Sequence, residues 1–118
     1  MARAKGDAAE ERALNYLRGQ GLTLITRNWH CRMGELDLVM RDGEELVIVE
    51  VRQRSRSGYG TAAESITATK RQRLTRATRH YLQRHPPEAQ RPVRFDVVAL
   101  DGNGDPEWIR HAFLPEAP

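Results

Sequence analysis

The chain has 118 residues, of which 39% are hydrophobic and 30% charged, and its formal charge is +3. That length predicts a single domain over residues 1–118, and the Leu, Ile, Val and Phe between the charges exclude wholesale disorder. The longest apolar run, Leu46–Val49, excludes a membrane-spanning helix. The opening Met-Ala-Arg-Ala-Lys-Gly-Asp lacks the apolar stretch of a secretory signal, and the single cysteine, Cys31, cannot form an internal disulfide. Both features lead to the expectation of a reducing cytoplasm.

Helical spacing of Ala9, Ala13, Leu14, Tyr16 and Leu17 predicts a first helix over residues 4–20, stopped by Gly21. An extended run over 22–29 follows. A turn at Met33-Gly34 leads into residues 35–40, which alternate polar and apolar. Asp42-Gly43 is a hairpin signal, and the Val/Ile-rich residues 45–52 are the most strand-like of the chain. A Ser/Gly/Arg loop over 55–60 precedes a second helix over 68–83, with Thr67 as its N-cap and Pro86-Pro87 beyond its end. Strands over 93–100 and 107–113 complete the order α-β-β-β-α-β-β. This order predicts an α/β fold with a mixed central sheet flanked by helices. Core positions are expected at Leu14, Leu17, Leu36, Leu38, Val47, Val49, Val51, Leu74, Tyr81, Phe95 and Val97.

Charge is segregated. Residues 52–84 hold nine basic side chains against one acid, Glu64, a local charge of +8, whereas the rest of the chain carries −5. A basic segment in an acidic domain points to a phosphate-bearing partner, and equally to a solvated Arg-rich helix.

Several charged residues sit on apolar faces. Glu10 shares a helix side with Ala13, Leu14 and Leu17, whereas Glu11 points to water. With an even-length hairpin loop, strand parity sets Glu35, Asp37, Glu50 and Arg52 on one face. A two-residue loop at Asp42-Gly43 places Asp37 diagonal to Glu50, and a four-residue loop places it directly opposite. Facing carboxylates need a cation, either a metal or Arg52. Oxygen donors suit Mg2+ or Mn2+, and no His/Cys cluster or glycine-rich phosphate loop is present. Lys70, in line with Leu74, Ala77 and Tyr81, aims at the sheet, unlike Gln72, Arg76 and Arg79.

Taken together, Gly6-x3-Glu10-x2-Ala13, Tyr16-Leu17, Arg27-Asn28-Trp29, Gly34-Glu35-Leu36-Asp37-Leu38, Val49-Glu50-Val51-Arg52-x-Arg54, Gly60, Lys70 and Arg94-Phe95-Asp96-Val97-Val98 resemble the YraN family. That family of small bacterial predicted nucleases is similar to Holliday-junction resolvases and to restriction-endonuclease-like PD-(D/E)xK proteins. The resemblance implies a three-layer restriction-endonuclease-like fold and a Mg2+- or Mn2+-dependent endonuclease acting on DNA, with branched or structured DNA among its substrates. It implies metal ligands at Glu10, Asp37 and Glu50, and catalytic roles for Asp37, Glu50, Arg52 and Lys70. Arg54, Arg56, Lys70, Arg71 and Arg76 are the expected nucleic-acid contacts, and resolvase-like relatives imply a homodimer.

The sequence departs from that pattern at Arg52, which stands where the superfamily has lysine. Arginine stays protonated and cannot act as a general base, although it stabilises developing negative charge. Either Lys70 supplies the amine, or the chain is a weakly active or inactive nucleic-acid-binding module on a nuclease fold.

Overall fold

The computed structural model describes residues 4–53, 65–102 and 104–115. It is an α/β structure with a five-stranded mixed sheet and two helices, compatible with the three-layer restriction-endonuclease-like fold. The elements are α1 (Ala4–Gly19), β1 (Thr23–Cys31), β2 (Gly34–Asp42), β3 (Glu45–Gln53), α2 (Ala68–Arg84), a 3-10 helix (Pro86–Gln90), β4 (Val93–Leu100) and β5 (Glu107–Phe113). The strands lie in sequence order across the sheet. All neighbours are antiparallel except β3 and β4, which α2 connects in parallel. Among the described residues, no helix is long and apolar enough to cross a membrane.

Each helix covers one sheet face. Ala9, Ala13, Leu14 and Leu17 of α1 pack on Leu38, Met40, Val47, Val49 and Val98. On the other face, Leu74, Ala77 and Tyr81 of α2 pack on Leu36, Val39, Ile48, Phe95 and Val97. Strand alternation divides these side chains between the two layers, because successive residues point to opposite faces. Thr67 caps α2 as expected, its hydroxyl accepting the Lys70 N–H at 3.1 Å. Every expected core residue is buried except Val51, which is half-buried at the open end of β3.

The turns differ from the expected positions by one residue. The β1–β2 turn is Arg32-Met33, closed by the pair Cys31↔Gly34. The β2–β3 turn is Gly43-Glu44, closed by Asp42↔Glu45, with Gly43 at a φ of 61° that favours glycine. The resulting register, Leu38↔Val49, aims Asp37 at Glu50, the alignment expected from a longer loop.

Alternation also breaks once. Leu36 packs on the α2 side and Leu38 on the α1 side, although they are two apart. The irregularity is centred on Asp37, opposite Asn28, whose φ is 55°. Strand parity alone therefore does not place Glu35 beside Asp37.

Candidate functional site

The site forms where the β2–β3 ladder stops. The last paired residues are Leu38 and Val49. Beyond them the Asp37 carboxylate replaces a backbone acceptor, taking the Val51 N–H on Oδ2 at 3.0 Å. A buried N–H needs a partner, and here a side chain supplies it while the strands part. Glu50, only 4% exposed, lies within this gap, close enough to Asp37 for each carboxylate to feel the other. Lys70, in the first turn of α2, approaches from the helix side, with Nζ 3.4 Å from Glu50 Oε2. Glu50 Oε1 is buried and has no hydrogen-bond partner.

The electrostatics favour a proton or a cation in this gap. Burial, then the neighbouring Asp37 charge, pushes Glu50 up to about 8, against the opposing pull of Lys70 and Arg52. Burial also raises Asp37, and the Glu35 charge adds to it, against the Val51 N–H and Lys70. A metal ion bound by two such carboxylates would displace the protons they retain. Their hard oxygen donors fit Mg2+ or Mn2+.

Glu10 arrives from the opposite layer. It is 3% exposed and, with Ala9, Val51, Arg52 and Gln53, lines a cleft of about 160 Å3 at the same end of β3. Among the described residues, no three His, Cys, Asp or Glu side chains converge as a ready metal cage. Asp37, Glu50 and Lys70 are thus brought together, and Glu10 stands across the end of β3 from them. Glu11 is exposed and pairs with Arg27 at 2.8 Å.

The basic residues divide in the same way. Arg52 Nη2 donates to the Ser65 carbonyl at 2.8 Å, tying the end of β3 to the entry of α2. Arg71 Nη1 donates to the Ile66 carbonyl at 2.7 Å in the same entry. Arg76 is exposed. Arg54, Arg56 and Gly60 lie outside the described residues.

Sequence reasoning missed a second ionic cluster, at the far end of the sheet. Arg94 is buried and donates through Nε to Asp96 at 3.1 Å, with Nη1 2.6 Å from Glu45 and Nη2 2.9 Å from Asp42. Asp96, fully buried, also accepts the Trp108 indole N–H at 2.9 Å and the His111 backbone N–H at 3.1 Å. The Arg94-Phe95-Asp96 alternation carried the signal, since it puts two charged residues on the inward face of a strand.

The sequence model of a family described as "Uncharacterised protein family UPF0102" matches residues 9–100. The chain belongs to the UPF0102 family. This membership supports the YraN resemblance at family level. A UPF0102 protein of Alkalilimnicola ehrlichii is 54% identical over 108 residues, covering 92% of this chain and 85% of the relative. One from Halorhodospira halophila is 52% identical over 115 residues, covering 98% and 91%. A Legionella pneumophila member is 46% identical over 114 residues, covering 96% and 97%. The UPF0102 match runs from within α1 to the end of β4, so Glu10, Asp37, Glu50, Lys70 and Asp96 all lie within it.

Proposed function

We propose that this UPF0102 protein is a Mg2+- or Mn2+-dependent nuclease that hydrolyses phosphodiester bonds in DNA, branched or structured DNA included. The observation that carries the reading is the Asp37–Glu50–Lys70 cluster, in which a buried Glu50 oxygen has no hydrogen-bond partner. Asp37 and Glu50 would hold the metal, with Glu10 completing the set across the end of β3. A bound divalent ion lowers the pKa of its water and offsets charge developing on the phosphate. Lys70 holds its ammonium beside Glu50, where it orients a water or an anionic oxygen. Arg52 braces the entry of α2 and contributes positive charge next to Glu50. Arg71 and Arg76 extend the positive charge along α2, with Arg54 and Arg56 expected to continue it.

The test is cleavage of a labelled four-way junction, a flap and a linear duplex, with Mn2+, Mg2+ or EDTA. Asp37→Ala, purified identically, controls for contaminating nuclease. Metal-dependent cutting that disappears in Asp37→Ala supports the reading; cutting that persists in it refutes the assignment.

A second reading has one observation in its favour. The Arg52 guanidinium, in the place of the superfamily lysine, is engaged by the Ser65 carbonyl. On this reading the chain binds DNA and cleaves slowly or not at all. Binding without cleavage, restored to cleavage by Arg52→Lys, would identify it.

A further inference from the structure

The two ends of the sheet treat arginine differently. At the β2–β3 turn, Arg91 is bound to Glu44 and Glu88, and Arg94 to Asp42, Glu45 and Asp96. Acids at that end use up the basic charge. At the opposite end, Arg32 in the β1–β2 turn and Arg73 and Arg76 on α2 are exposed and make no ion pair among the described residues.

The β1–β2 apex and α2 form one surface. A Cβ added to Gly34 would stand 3.6 Å from both the Cβ and the carbonyl oxygen of Arg73, so the hairpin tip rests on the helix. The apex itself, next to Arg32 and to the Gly34 that rests on Arg73, presents Met33, 42% exposed. The other exposed large hydrophobic among the described residues is Leu114, near the chain end. A methionine at the tip of a tight two-residue turn gains nothing from water, and its neighbours attract phosphate. Proteins that bend duplexes use this pairing of an apolar wedge with flanking cations.

Resting on the DNA reading above, we propose that the β1–β2 apex and α2 bind duplex DNA with an interrupted stack. Arg32, Arg73 and Arg76 hold the backbone and Met33 inserts at the break. Insertion into an intact duplex costs a few kcal/mol of unstacking, whereas a nick or gap has already lost that stacking. The wedge therefore selects the interrupted site. The arginines, contacting phosphate alone, raise affinity for every duplex.

The experiment compares a continuous duplex with the same duplex carrying one nick flanked by 2-aminopurine, in EDTA so that nothing is cut. The wild type is expected to bind the nicked duplex about tenfold tighter and to raise 2-aminopurine fluorescence. Met33→Ser should abolish the preference and the fluorescence change, while affinity for the continuous duplex is kept. Arg73→Ala should weaken both duplexes equally and flatten the salt dependence. A preference and fluorescence change that survive Met33→Ser overturn the proposal. Equal wild-type binding to both duplexes overturns it while leaving the nuclease reading standing. Binding to neither duplex overturns the proposal and leaves the nuclease reading to the cleavage test above, and tighter binding to a nicked RNA duplex overturns the choice of DNA.

Discussion

Lys70 Nζ lies 3.4 Å from Glu50 Oε2, and the two residues come from elements separated by residues 54–67 of the chain. The Thr67 cap fixes the first turn of α2, and the apolar stripe of Leu74, Ala77 and Tyr81 fixes its rotation. Together they deliver one amine to one carboxylate.

Lys70→Met tests what that amine does. It removes a charge that holds Glu50 down, so Glu50 should titrate still higher than about 8. Metal affinity measured by Mn2+ titration at pH 9 should change little, because the ligands remain. Cleavage at the same pH should fall by about 10^2–10^4-fold, the usual contribution of a positioned proton-transfer or orienting group. Stability should drop by only ~1 kcal/mol, since Lys70 is partly exposed. Unchanged cleavage would remove Lys70 from the machinery and leave Arg52 as the cation beside Glu50 among the described residues.

Glu50 also sets a pH dependence of stability. Its folded value, about 8, lies above the ordinary 4.5. Below pH 4.5 both states carry the proton and the contribution is complete. Between pH 4.5 and 8 the unfolded chain loses its proton while the folded chain keeps it, so stability falls as pH rises. Urea midpoints should therefore decline across this window in metal-free protein. Glu50→Gln should flatten the decline and gain about 1–3 kcal/mol at pH 8, because an uncharged amide replaces a buried charge. Saturating Mn2+ should also flatten it in the wild type, by replacing the proton.

Asp37 combines two tasks that substitutions separate. Asp37→Asn keeps an oxygen for the Val51 N–H and loses the charge, so it should remain close to wild-type stability in urea. Asp37→Ala leaves that N–H without its acceptor and should cost about 1–3 kcal/mol. Both should lose the Mn2+-induced rise in melting temperature. A rise retained in Asp37→Asn would exclude this carboxylate as a ligand.

Much of this site was legible in periodicity. Helical spacing was enough to turn Glu10 and Lys70 toward the core, and strand parity was enough to put Asp37 and Glu50 on one face, diagonal or directly opposite. The break at Asp37 was not legible, because it depends on how β1 and β2 accommodate Asn28 in a left-handed conformation. Parity assumes an unbroken strand. The resting place of Arg52 on the Ser65 carbonyl was equally hidden, since it requires knowing where the chain returns after β3. Met33 belongs to the turn signal in the sequence, and the structure adds that its side chain stays exposed there while Gly34 rests on α2.

The Arg94–Asp96 cluster makes the last prediction. Asp96 accepts from a guanidinium, an indole and a backbone amide, and it does so at the β4–β5 register shift between Phe95 and Val97. His111, whose N–H it takes, has a φ of 51°, so the carboxylate also secures an unfavourable backbone conformation. Asp96→Ala would leave Arg94 buried with two partly exposed acids and the Trp108 N–H without its acceptor. A loss of about 3–5 kcal/mol is expected, the usual cost of removing one partner from a buried ion pair. The double variant Asp96→Leu with Arg94→Met removes both charges and should recover most of that loss, because no unpaired charge is left behind. The urea midpoints of the three proteins decide it. A double variant less stable than Asp96→Ala would mean that Arg94 is needed for its contacts with Asp42 and Glu45 rather than as the counterion of Asp96.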